Sequence, residues 1–147
     1  MELINAHKEY RMKSEIVKAL DGISLNIDEN KPGFYAIMGH SGSGKSTLIQ
    51  ILGLLDTLST GTYLIDGRNV KDLTENEKAE MRMKKIGFVY QTFYLNNTLK
   101  AYENIILPML INPNIKKEKR KIKALELLKT FNLENRAEHF PKEMSGG

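Results

Sequence analysis

At 147 residues the chain is long enough for one domain with a real core and too short for two comfortable ones. Its hydrophobic content of 41% and charged content of 27% are those of a soluble globular protein. The absence of cysteine excludes disulfides and thiolate metal sites, and a net charge of +4 is too small to argue for a nucleic-acid partner on its own.

The first third reads as strands. Leu3 to Tyr10 is a short extended segment, and Ile23-Ser24-Leu25-Asn26-Ile27 alternates apolar and polar as a half-buried strand does. Asp28 to Gly33 is polar and carries a Pro-Gly turn signal at 32–33. The apolar run Phe34-Tyr35-Ala36-Ile37-Met38 is expected to be a buried strand, and Ser46 to Leu52 a helix. Gly61-Thr62-Tyr63-Leu64-Ile65 is the next strand, closed by the Asp66-Gly67 turn signal. Thr74-Glu75-Asn76-Glu77 is a capping box, so a helix starts there and runs toward Lys85. Ile86-Gly87-Phe88-Val89-Tyr90 is a further expected buried strand, ending at Gln91. From about Phe93 the texture turns helical. Ala101 to Leu107 is one helix, ended or kinked by Pro108. Lys116 to Phe131 is another, with Ile122, Leu125, Leu128 and Phe131 close to one face. The basic run from Lys116 to Lys123 is interrupted by Glu118 and has no interleaved aromatics, which favours a solvated helix face over nucleic acid. The expected domain organisation is a nucleotide-binding core over 1–92 and a helical subdomain over 93–147.

Between the expected strand and helix lies Gly39-His40-Ser41-Gly42-Ser43-Gly44-Lys45-Ser46, which fits G-x-x-x-x-G-K-[ST]. Gly39, Gly42 and Gly44 let backbone N–H groups approach phosphates and curl into an anion nest. The phosphates then sit at a helix N-terminus, where the dipole favours negative charge. Lys45 adds a point charge for the β- and γ-phosphates, and the Ser46 hydroxyl is placed to ligate Mg²⁺. With Thr47, these residues are the candidate triphosphate site.

Four features in order then match one pattern: Tyr10 upstream of the loop, Gln91 after an apolar strand, a helical insert, and Met144-Ser145-Gly146-Gly147. The chain resembles the nucleotide-binding subunit of ABC transporters, from its first strand to the signature motif. Within that family it is most similar to bacterial ATPases serving lipoprotein release, macrolide export and antimicrobial-peptide resistance. Ile37-Met38-Gly39, Ser41 to Leu48, Ile51-Leu52-Gly53, Gly87-Phe88-Val89-Tyr90-Gln91 and Glu103-Asn104-Ile105 carry that closer match. Met144 stands where the family usually has Leu. Asn96 and Asn97 replace a common apolar-Pro pair, and the loop from Asp28 to Gly33 is slightly long.

The resemblance implies an α/β fold: a P-loop NTPase core of ABC type with an antiparallel β subdomain and a helical subdomain. It implies ATP and Mg²⁺ as cofactors. Tyr10 is expected to stack on adenine. Gln91 is expected to contact Mg²⁺ or the attacking water and to touch the membrane subunits; with Lys45 it is the candidate catalytic group. Ser145, Gly146 and Gly147 are expected to bind the γ-phosphate held by a second ATP-binding subunit in a homodimer. Transmembrane permease subunits are the other expected partners, with no nucleic acid. No export signal is visible in Met1 to Asn5, and the resemblance implies a cytoplasmic location, peripheral to the inner face of the cell membrane through the permease subunits. No Walker B strand with its Asp and catalytic Glu can be located, and no switch His, since His7, His40 and His139 all precede the signature; the C-terminal part of the core is therefore expected to be missing and the chain to be inactive on its own. Alternatives are a truncated nucleotide-binding remnant without hydrolytic activity, a soluble non-transport ABC protein, and an unrelated phosphate-loop kinase or GTPase, which has no use for the signature.

Overall fold

The computed structural model describes residues 1–147 except 14, 29, 32 and 145–147. The chain forms two compact units, Met1–Phe88 and Val89–Gly147.

The first unit is built on an antiparallel sheet in the order β2-β1-β3-β4. Strand β1 (Glu2–Met12) pairs with β2 (Glu15–Asn26) and, on its other side, with β3 (Thr60–Ile65), which turns into the short β4 (Arg68–Asn69). Leu3 and Ala6 on β1 are both buried although they are three residues apart. Strict alternation would put them on opposite faces. The register shifts between them against both neighbours, and Asn5 adopts φ 45°. This is a bulge, which re-aims everything downstream. After it Ala6, Lys8 and Tyr10 alternate onto one face, the face that carries the site. The β2 strand begins eight residues earlier than the expected Ile23 start, because Glu15–Asp21 completes a long hairpin with β1.

Helix α1 (Lys45–Leu52) lays Leu48 and Ile51 into a core with Leu3, Ala6, Leu20, Tyr63 and Ile65. Tyr63 is 3% exposed, and its hydroxyl donates to the Leu52 carbonyl at 2.7 Å, so its polar end is satisfied at the C-terminus of α1. Helix α2 (Glu75–Lys85) has no fully buried residue and starts with the expected capping box. Arg82 ties it back by donating to the Leu54 carbonyl at 2.8 Å.

The expected strands over 34–38 and 86–90 are not formed: neither segment carries helix or ladder. Phe34, Met38 and Val89 are 95%, 88% and 100% exposed. A strand exists only as a paired ladder. Neither segment is a strand of the sheet, so apolar sequence alone does not make a strand of them.

The second unit is helical. Helix α3 (Ala101–Ile106) passes into a 3-10 turn over Leu107–Met109, and Pro108 sits inside that turn rather than ending the chain's helical path. Helix α4 (Lys117–Thr130) buries Ala124 and Leu128, four residues apart. Leu128 packs with Ala101 and Ala137, beside Tyr102, Ile105 and Met144. Ile122 and Phe131, expected on the inner face, are 58% and 71% exposed. The basic run opening α4 is largely exposed.

Candidate functional site

The glycine-rich loop leads straight into α1, whose N-cap is Gly44 at φ 85°, ψ 3°. A β-carbon on Gly44 would lie 2.2 Å from the Ala19 carbonyl oxygen of β2. Both the left-handed angle and this close approach demand glycine, and they seat the loop against the sheet. Gly42 has φ 81°, and a β-carbon there would meet nothing within 4 Å. Its requirement is one of backbone angle, and its outer side is open.

Among the described residues no side chain caps α1, and no acidic residue lies in its first turn. The first-turn N–H donors and the positive end of the helix dipole are therefore left uncompensated by protein groups. The Lys45 ammonium lies over the loop, donating to the carbonyls of Gly39 at 2.9 Å and His40 at 2.6 Å. The Ser43 amide closes a turn onto the His40 carbonyl at 3.3 Å, and His40 Nδ1 lies 2.9 Å from the Ser41 carbonyl. Ser46 is exposed on the first turn and Thr47 is half-buried behind it. Uncompensated amides, a fixed ammonium and an exposed hydroxyl suit a phosphate anion with a hard cation. No cluster of three or more His, Asp or Glu that could hold a metal occurs among the described residues.

Tyr10 stands on β1 with its hydroxyl donating to Asp56 Oδ2 at 2.7 Å. The structure thus ties the expected base-stacking residue to the loop that leaves α1. Burial, and donation to the Asp56 carboxylate, push the Tyr10 phenol above its ordinary pKa against the opposing effect of Thr47. Asp56 is itself held below the usual carboxylate range. Burial pushes it up, but Lys8, Tyr10 and the Thr57 amide together pull it further down. Asp56 and Lys8 went unnoticed in the sequence. They lie 46 and 2 residues from Tyr10, and no local spacing ties an aspartate after a helix to a tyrosine on the first strand.

Gln91 is exposed and belongs to the second unit. Ser145, Gly146 and Gly147 lie outside the described residues. Two acidic groups beyond the phosphate loop are occupied. Asp66 pairs with Lys85, and Glu103 accepts from the Lys100 amide at 2.8 Å at the start of α3.

A glycine-rich loop at a helix N-terminus, packed on a sheet and followed by a helical unit, is the arrangement of a phosphate-loop nucleotide-binding domain. A family profile described as ABC transporter matches residues 20–147, and the chain belongs to that family. It is 43% identical over its whole length to the macrolide export ATP-binding/permease protein MacB of Chlorobaculum tepidum, of which it spans 22%. An uncharacterized ABC transporter ATP-binding protein of Methanocaldococcus jannaschii, MJ0796, is 43% identical over 150 residues, and the chain spans 63% of it. The structure of that cassette as a dimer in a post-hydrolysis state, bound to ADP and Pi, superposes with a TM-score of 0.84 at 42% identity. That match covers 99% of this chain and 63% of the other. The fold is accordingly that of an ABC-type ATP-binding domain. Among the described residues no helix is long and apolar enough to cross a membrane.

Proposed function

We propose that the chain is the ATP-binding part of an ABC transporter that drives export or antimicrobial-peptide resistance through permease subunits at the inner face of the cell membrane. Residues 39–47 hold the triphosphate: backbone amides of the loop and of α1 take the phosphate oxygens, and Lys45 supplies the cation. Ser46, together with Gln91, would hold Mg²⁺, which when bound neutralises phosphate charge. Tyr10 takes the base. Ser145, Gly146 and Gly147 serve the nucleotide of a second ATP-binding subunit. The observation that carries this reading is the glycine-rich loop entering α1 through Gly44 at its left-handed φ, with the Lys45 ammonium held over the loop carbonyls.

Ligand-dependent melting tests it. A ligand bound only by the folded state stabilises that state by mass action. Mg-ATP at a hundredfold excess over Kd raises Tm by roughly 5–10 °C for a chain of this size. Lys45→Ala should abolish most of the shift and leave the apo Tm near wild type, because the ammonium touches only loop carbonyls and Ser43. An undiminished shift in Lys45→Ala removes Lys45 from the site.

A further inference from the structure

Lys8 and Tyr10 stand two residues apart on one face of β1, and both reach Asp56, on the loop that leaves α1. Asp56 Oδ1 accepts from Lys8 Nζ at 2.5 Å and from the Thr57 amide at 2.7 Å, and Oδ2 accepts from the Tyr10 hydroxyl at 2.7 Å. Lys8 donates again, to the Thr57 carbonyl at 2.8 Å. The Lys8 and Asp56 side chains are only 12% and 25% exposed. The Lys8 ammonium also lies 4.9 Å from the Tyr10 ring centroid, so a cation covers one face of the ring.

We propose that Asp56, clamped by Lys8, is a positioning residue for the nucleotide base: it pins the hydroxyl end of Tyr10 so that the ring face turned away from Lys8 forms a fixed stacking platform. The proposal rests on the reading of Tyr10 as the partner of the base. Its physical content is preorganisation. An unpinned tyrosine loses rotamer freedom when a base stacks on it, and that loss weakens binding. Here the ring is ordered on folding, by a charge-assisted hydrogen bond at one end and a strand backbone at the other. Because Asp56 lies on the loop that leaves α1, its bond to the Tyr10 hydroxyl ties the platform to the helix that the phosphate loop opens. Asp56 therefore acts on the base half of the ligand and leaves the phosphate half untouched.

Calorimetric titration of the purified chain with Mg-ATP and, separately, with magnesium tripolyphosphate separates the two halves. Tyr10→Phe keeps the ring and loses only the anchoring hydroxyl. Asp56→Ala removes the anchor from the other side. Each should weaken ATP about 5-fold while tripolyphosphate binding changes less than about 2-fold, and the double variant should be no worse than either single one. Tyr10→Ala, which removes the platform itself, should lower the ATP-to-tripolyphosphate affinity ratio further. If Tyr10→Ala lowers both ligands equally, the stacking role fails and the positioning role falls with it. If Tyr10→Ala lowers the ratio but Tyr10→Phe leaves it at the wild-type value, Tyr10 stacks without help from Asp56 and the positioning role alone is overturned. Tyr10→Phe decides this even if Asp56→Ala does not fold.

Discussion

Two tyrosines of the first unit differ in what their hydroxyls hold. Tyr63 is purely structural: it is buried, and its hydroxyl holds the last turn of α1 through Leu52. Burial pushes its phenol up to about 12. An unfolded tyrosine ionises near 10, so between these values the folded chain keeps a proton that the unfolded chain has lost. Stability from this group is full below pH ~10 and falls as the pH rises toward 12. Tyr63→Phe should cost about 1 kcal/mol at pH 7, from one lost hydrogen bond and the carbonyl left behind. Urea unfolding above pH 10 should then show a shallower alkaline loss in the variant than in wild type. Parallel pH profiles would show that the ionisation of Tyr63 is not coupled to folding. Tyr10, by contrast, meets Asp56 near the surface, where its ring can meet a ligand. Its strand position and aromatic character were legible in the sequence. Its tie to Asp56 was not, because that contact joins residues 46 apart and depends on where α1 ends.

At the scale of elements, local chemistry was read well and pairing was not. The helix α2 buries no residue completely and depends on its ends. The Glu77 carboxylate accepts from the Thr74 amide and hydroxyl and from Arg68, all between 2.8 and 2.9 Å. The Thr74 amide first, and then Arg68 and the Thr74 hydroxyl, hold Glu77 down to about 2. A depressed carboxylate stabilises the fold above its unfolded pKa and stops doing so as the pH falls through the folded value. The stability difference between wild type and Glu77→Ala should therefore be full at pH 7 and shrink as the pH drops from about 4.5 toward 2. A gap constant over that range in urea titrations would remove Glu77 as the cap. The capping box was visible because all its parts fall within four residues. So was the glycine-rich loop. The segments 34–38 and 86–90 were read as strands from the same kind of evidence, and there the reading failed. Periodicity and apolar runs report that a segment is fit for burial. A ladder also needs a second chain segment at 4.8 Å, and neither segment is a strand of the sheet. The bulge at Asn5 was equally hidden, since nothing in Ile4-Asn5-Ala6 distinguishes it from regular alternation. Yet that bulge is what turns Lys8 and Tyr10 toward the site.

For the whole molecule the question is how much of an ATPase cycle 147 residues can run. Transfer of a γ-phosphoryl group to water needs a metal, charge stabilisation around the phosphoryl oxygens and a group that orients the water. Ser46 and Lys45 are the residues proposed for the first two, and Gln91 belongs to the second unit. A carboxylate to orient water is harder to find. Asp56 is filled by three donors, Asp66 is paired with Lys85, and Glu103 caps its own helix. Each would have to break a structural contact to act as a base, and Asp56 is held firmly ionised by the contacts that occupy it. The chain also spans only 63% of the cassette from Methanocaldococcus jannaschii that it matches. We therefore expect the 147-residue chain to bind Mg-ATP but to hydrolyse it no faster than Lys45→Ala does. Phosphate release measured under excess Mg-ATP checks this. Extending the chain to the length of that cassette should recover turnover, and its specific rate should rise with protein concentration if two chains must meet. Magnesium-dependent turnover by the 147-residue chain, lost in Lys45→Ala, would overturn the expectation. It would require a base among the carboxylates assigned structural roles, and alanine substitution of each in turn would identify it.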